Sequence, residues 1–311
     1  MISDIVDTQL KQRIEQVGRF IGHTPLFPIQ RLYRKPKVKI LVKLEWQQLG
    51  NSVKARPAFN IIKSAVNNGK LTGEKHLLDA TSGNTGIAYA AIAAASGMNV
   101  SLCLPENASR ERKTMLKSYG VAIIYTSPFE GTDGAQLQAK SLMEENPLKY
   151  FYADQYANNN NWLAHYHTTG KEVFEQTGGE ITHFVAGLGT TGTFRGTITR
   201  LKELNPEIKA IALHPDSAMH GLEGWKHMET AIVPKIYDSK LADENLLIDS
   251  MEATNLIKEI ARSEGLLVSP SSAANLVGAI RVAESIDEGT IVTVFPDDAS
   301  KYSEVIEKLF K

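Results

Sequence analysis

Two turns in this 311-residue chain place glycines and hydroxyl side chains directly ahead of a helical pattern. In THFVAGLGTTGTFRGTI an apolar strand pattern runs into Gly187, Gly189 and Gly192, and a helix pattern follows. Free backbone amides and the positive end of a helix dipole stabilise a phosphate at such a point, and Thr190, Thr191 and Thr193 add hydroxyl donors. The same letters satisfy GxGxxG. With Asp216 after the next strand, at about the spacing of a ribose-binding acid, they also allow a dinucleotide site. In the second turn, DATSGNTGIAYAAIAAA, the side chains of Thr81, Ser82, Asn84 and Thr85 could surround a carboxylate at the start of an Ala-rich helix, or serve as an N-cap cluster. Lys54, in QLGNSVKARPAFNII, stands between a turn and a helix entered near Pro57. A lysine recruited there could act as nucleophile and base; by itself it reads as one of 34 basic side chains.

These groups need elements to hold them. VKILVKLE, HLLDA, NVSLCLP and VAIIYT read as strands, separated by helices over about 58–68, 87–96 and 110–119. The same rhythm resumes with ITHFVAG, a helix near 194–204, IKAIALHP, helices near 253–263 and 273–285, and TIVTVFP. Strands joined by single helices imply βαβ units and parallel sheets. The polar stretch NPLKYFYADQYANNNN marks a boundary between two lobes, 1–155 and 156–311. Between Pro215 and Asp249 the periodicity is weak, and loops of that length inside an α/β domain are usually functional or disordered.

The bulk composition narrows the partners. Lys plus Arg number 34 against 35 Asp plus Glu, without the long basic run of a nucleic-acid or membrane footprint, so a small-molecule partner is expected. The segment MISDIVDTQLKQRIEQVG lacks the basic start and apolar core of a signal peptide, and a cytoplasmic location is expected. Cys103 is the only cysteine and lies in the apolar run VSLCLP, where it reads as a core residue. The histidines of HYHTTG are two apart without an evident third ligand, so no metal is predicted.

Taken in order, IGHTPL (21–26), KLEWQQLGNSVKARP (43–57), TSGNTGIA (81–88) and GTTGT (189–193) resemble the cysteine synthase family. Supporting signals are DQY (154–156), HYHTTG (165–170), QTGGEITHFV (176–185) and EGLLVSPSSAA (264–274), so the resemblance spans roughly residues 18–303. It is similar to the branch of cysteine synthase B and the O-phosphoserine sulfhydrylases. The resemblance implies an α/β fold of type II among pyridoxal 5'-phosphate (PLP) enzymes, akin to the tryptophan synthase β chain. That fold is a two-lobed three-layer αβα sandwich with twisted, mostly parallel sheets, in which the first strands join the second lobe's sheet. A homodimer with its active site in the cleft between lobes is also implied.

By the same resemblance Lys54 matches the Schiff-base lysine, Gly189, Thr190, Thr191, Gly192 and Thr193 the cofactor phosphate loop, and Asn84 the residue beside the ring hydroxyl. Thr81, Ser82 and Thr85, with Gln155, match the loop that closes on the substrate carboxylate. Ser271 and Asp298 compete for the pyridine nitrogen, and the match favours Ser271. An aspartate would keep that nitrogen protonated and strengthen the electron sink, whereas a serine leaves it largely neutral. The implied reaction is a β-replacement that makes L-cysteine from O-acetylserine or O-phosphoserine and sulfide through an α-aminoacrylate. Lys226 and His227 stand where related synthases carry cations that can meet a phosphorylated serine. Same-fold alternatives act on cysteine, releasing sulfide or forming lanthionine or cystathionine. An NAD-dependent oxidoreductase built on GLGTTG, or a catalytically silent binding module, is the reading from another class. The sequence departs from the family pattern at Ala55, after the lysine, and in the QLGN turn before it.

Overall fold

A computed structural model of the chain describes residues 2–81 and 83–311, with residues 2–7 described by their backbone. Helix α1 (Ile2–Gly18) precedes strands β1 (Leu26–Ile29) and β2 (Val38–Leu44). Helices and strands then alternate: α2 (Ala55–Asn67), β3 (His76–Ala80), α3 (Asn84–Ser96), β4 (Asn99–Pro105), α4 (Arg110–Ser118), β5 (Ala122–Thr126), α5 (Gly131–Glu145) and β6 (Tyr150–Tyr152). Helices α6 (Asn159–His167) and α7 (Thr169–Gln176) lead into β7 (His183–Gly187), α8 (Gly192–Leu204) and β8 (Lys209–Pro215). After a long connection come β9 (Glu244–Ile248), α9 (Ser250–Glu264), α10 (Pro270–Ser285), β10 (Gly289–Phe295) and α11 (Ser303–Phe310).

The chain forms two compact units. The first comprises Met1–Gly22, Gln48–Gly50 and Lys54–Asn161, and the second His23–Gln47, Asn51–Val53 and Trp162–Lys311. In the first unit a four-stranded sheet runs in the order β5-β4-β3-β6 with every pairing parallel. Its strands are apolar on both faces, as a sheet sandwiched between helices requires. Leu77 of β3 packs with Ile61, Ile87 and Ile92, while Leu78 and Ala80 turn the other way onto Ala135 and Ala139 of α5.

The second unit holds a six-stranded sheet in the order β1-β2-β10-β7-β8-β9. Only the β1–β2 pair is antiparallel, and β2 joins β10 in parallel with Ile40 opposite Ile291. Neighbouring β10 residues again split between two cores: Ile291 and Phe295 pack under α9 and α10, Val292 and Val294 with Phe194 and Ile198 of α8. Local signals set the helix ends. Asp249 accepts the Glu252 N–H to start α9, and Gly265, at φ 71°, ends it. Ser269 accepts from Ser272 N–H with Pro270 in the first turn of α10.

Strand β9 interrupts the segment expected to be a long loop. Of ENLLI only Ile248 is buried, so this edge strand carries almost no periodic signal. Among the described residues no helix is long and apolar enough to cross a membrane. Both glycine-hydroxyl turns follow the carboxyl ends of parallel strands, β3 and β7, where open α/β sheets receive their ligands.

Candidate active site

Lys54 is the starting point of the first unit's candidate site. It caps the N-terminus of α2, its carbonyl accepting the Ala58 N–H at 3.1 Å. The turn before it uses two left-handed residues, Gly50 at φ 85° and Asn51 at φ 49°. At Gly50 a side chain is disfavoured twice: by that φ, and because a Cβ would lie a tight 3.3 Å from the Ala88 Cα in α3. The turn that delivers Lys54 is thereby pressed against the helix that begins with Asn84.

At the N-terminus of α3 the hydroxyl turn is wired to the strand beneath it. Thr81 Oγ1 accepts the N–H groups of Gly83 (3.2 Å) and Gly86 (3.3 Å), so Thr81 caps the helix from outside. Thr85 donates to Gln155 Oε1 at 2.8 Å, Gln155 Nε2 donates to the Ala80 carbonyl at 2.9 Å, and Asn161 Nδ2 donates to the Gln155 carbonyl at 2.7 Å. Gln155 is thus fixed on three sides. Asn84, half-buried, is the first residue of the helix, and the first turn carries no acid to compete for an anion. Ser82 lies outside the described residues. One group was not singled out from sequence: Arg112 is buried, and its guanidinium would stand 3.8 Å from a Cβ on Gly83. Within RERK it looks like an ordinary surface cation, so local pattern held no signal for it.

In the second unit the GLGTTG turn follows β7. A Cβ on Gly187 would lie 2.0 Å from the Trp225 ring, and one on Gly189 would lie 1.9 Å from the Gly224 carbonyl oxygen. Both positions therefore need glycine for close approach of the 222–226 segment, whose Lys226 N–H donates to the Leu188 carbonyl at 2.8 Å. Asn275 of α10 secures the strand end, accepting the Gly187 N–H at 2.8 Å and donating to the Val294 carbonyl. Thr191 sits at φ 72° as the N-cap of α8. Its Oγ1 is buried without a hydrogen-bond partner, which in a folded protein marks a group waiting for a ligand or water. Thr190 is buried beside it, and Thr193 Oγ1 lies 3.2 Å from His165 Nε2, whose Nδ1 meets Thr169 Oγ1 at 2.9 Å. His165 of HYHTTG is a fully buried helix residue that steadies Thr193. A turn of glycines and hydroxyls at a helix start, with the Thr191 hydroxyl unpartnered, fits a phosphate monoester.

Ser271, buried at the start of α10, donates to the Glu223 carbonyl at 2.7 Å. Asp298 accepts from the Ser300 N–H and hydroxyl, capping the single 3-10 turn 299–301. Its neighbour Asp297 is the buried acid of FPDDASKY, bonded to the Tyr302 hydroxyl at 2.9 Å and 3.7 Å from Lys301 Nζ. Lys226 is mostly buried. Nearby in sequence, burial and then the charge of His227 hold the His220 pKa below its usual value.

The family model of pyridoxal-phosphate dependent enzymes matches residues 17–297. The chain belongs to the cysteine synthase family of these enzymes. It is similar to a cysteine synthase of Aquifex aeolicus, 42% identical over 303 residues, covering 95% of this chain and 93% of that one. A cysteine synthase B of Pseudomonas aeruginosa is 38% identical over 91% of this chain and 93% of its own. Among solved structures, a cysteine synthase of Entamoeba histolytica superposes with a TM-score of 0.88 at 31% identity, covering 94% of this chain and 90% of that one. The fold is type II of the PLP enzymes, and the cofactor is PLP. Membership in a PLP family removes the ground for an NAD-dependent reading of GLGTTG.

Proposed function

We propose that this enzyme makes L-cysteine by β-replacement, joining sulfide to the β-carbon of an activated serine. The observation that supports this reading is the pairing, in one unit, of an amine at the start of α2 with a hydroxyl-rich turn at the start of α3, brought close through Gly50 and Ala88. PLP, when bound, supplies the electron sink that makes the Cα–H bond of an amino acid labile.

The chain's own residues do the rest. Lys54 would hold the cofactor through its ε-amine, and the same amine is the base placed to take the Cα proton. Thr81, Ser82, Asn84, Thr85 and Gln155 seat the substrate carboxylate, with Asn84 also beside the cofactor ring. Gly189, Thr190, Thr191, Gly192 and Thr193 hold the phosphate; the unpartnered Thr191 hydroxyl supports that assignment. Ser271 is assigned to the pyridine nitrogen in preference to Asp298, whose carboxylate is already engaged by Ser300. Lys226 is assigned to a phosphorylated β-substituent, which makes O-phosphoserine a substrate beside or instead of O-acetylserine. The working assembly is a homodimer, and the compartment the cytoplasm.

The test is cysteine formation from O-acetyl-L-serine and sulfide by the purified holoenzyme and by Lys54→Ala. The variant should lose the cofactor's visible absorbance in its lysine-bound form and on the order of a thousandfold or more in rate, the scale of removing a covalent catalyst. Wild-type enzyme that holds PLP but yields no cysteine, or a variant as active as wild type, would overturn the reading.

A further inference from the structure

Beneath the anion turn lies an acid that the reaction as described leaves unused. Asp79 is the penultimate residue of β3, two before Thr81, and is fully buried. Its Oδ1 accepts the Ala80 N–H at 2.9 Å, and the Gln155 N–H also points at the carboxyl. The Tyr89 hydroxyl of α3 stands against it, yet neither Asp79 Oδ2 nor Tyr89 Oη makes a well-formed hydrogen bond. The other titratable groups that act on this spot are Cys103 of β4, Tyr152 of β6, and Asp154 and Tyr156 just beyond it; Asp133 of α5 acts on Tyr156 in turn. They are hydroxyls, a thiol and carboxylates, and none of them is a cation.

A carboxyl so placed can hold its surroundings in two ways. As a neutral acid it has an O–H to give and adds no charge. As an anion it puts an uncompensated negative charge under the backbone that leads to Thr81, and it pulls on the Gln155 N–H while the Gln155 side chain orients Thr85. We propose that Asp79 is a positioning residue that works as the neutral acid, and that its ionisation weakens binding of the amino-acid carboxylate at Thr81–Thr85. This inference rests on the reading of that turn as the carboxylate seat. Burial opposes the ionisation, raising the carboxyl to about 7 against the opposing pull of the Ala80 N–H and Tyr89, so the effect falls within the range where the enzyme can be assayed.

The experiment follows KM and kcat for O-acetyl-L-serine from about pH 6 to 8.5 in wild-type holoenzyme and in Asp79→Asn, which imitates the neutral acid at every pH. Ionisation of the substrate itself is common to both and cancels in the ratio. The ratio of wild-type to variant KM should climb threefold or more across the range, with kcat moving less. Tyr89→Phe, which removes a donor that favours the anion, should move the wild-type rise to higher pH; it carries the test if Asp79→Asn does not fold. A flat KM ratio, with a pH-dependent difference in melting temperature alone, makes Asp79 structural and rejects the proposal. Gln155→Ala separates the underlying reading: if that variant binds substrate as wild type does, the turn is not the carboxylate seat and the proposal falls with it.

Discussion

The buried Asp79 carboxyl also makes a prediction about stability. Unfolded, the side chain titrates near 3.8; in the folded protein burial raises it to about 7. Because the folded value is the higher one, the native state binds the extra proton. The stabilisation is fully present below about pH 4, declines as pH rises, and is gone above about pH 7. A gap of about three pH units at 1.36 kcal/mol each amounts to ~4 kcal/mol in full, of which ~2 kcal/mol falls between about pH 5.5 and 8.5. Asp79→Asn keeps the shape and loses the ionisation. Relative to the variant, wild-type holoenzyme should lose ~2 kcal/mol over that interval, or roughly 4–8 °C in melting temperature for a unit of this size. Scanning calorimetry or urea denaturation of both proteins at several pH values reads the difference. His76, His183 and His220, whose pKa values burial lowers, are common to both proteins, so their contribution cancels in the comparison. Parallel stability curves for the two proteins would refute the reasoning, since they would mean that Asp79 does not change charge within the native state.

Gly189→Ala would set a Cβ 1.9 Å from the Gly224 carbonyl oxygen, so backbone must move at an overpacking cost of about 1–3 kcal/mol; PLP affinity, read by equilibrium dialysis, should fall roughly tenfold or more. Lys226→Ala should slow turnover of O-phosphoserine and leave O-acetylserine within about threefold of wild type, since only the former presents a dianion to the ammonium; equal effects on both substrates would remove the phosphate role. Burial pushes the Cys103 thiol up to about 12, and alkylation by iodoacetamide at about pH 8 should be slow until denaturant is added.

The strand-helix rhythm and the two small-residue turns were legible because each is a local pattern: HLLDA and ITHFVAG are apolar runs of strand length, and TSGNTG and GLGTTG change period directly after them. What joins those pieces was not local. Nothing in VKILVKL says that it pairs with TIVTVF, some 250 residues on, and nothing in GWK says that Trp225 covers Gly187. Asp79 looks like any strand-end acid in the sequence. Its chemistry comes from Tyr89, Tyr152 and Gln155, which lie 10, 73 and 76 residues away and meet it only in the folded unit. Arg112 was hidden for the same reason, in a helix whose neighbouring residues in RERK are all charged.

Where residue type favours Asp298 for the pyridine nitrogen, the local environment supports the proposed assignment of Ser271. Asp298 has the stronger intrinsic claim on a pyridine nitrogen, because a carboxylate stabilises the pyridinium and deepens the sink. In the fold, however, its carboxylate accepts two hydrogen bonds from Ser300 and begins the 299–301 turn, so turning it to another partner would uncap that turn. Ser271 gives its single proton to the Glu223 carbonyl and keeps two lone pairs; it can accept from a protonated nitrogen as it stands, or rotate and donate to a neutral one. Rotation would release Glu223, in the same loop whose Gly224 and Trp225 cover Gly189 and Gly187. Ser271, proposed for the nitrogen, and the packing over the GLGTTG turn, proposed for the phosphate, are therefore linked through one backbone segment. That linkage is absent from the Asp298 alternative, and under the proposed assignment it would set the weaker sink, sufficient for eliminating a good β-leaving group, beside the residues proposed to hold the cofactor.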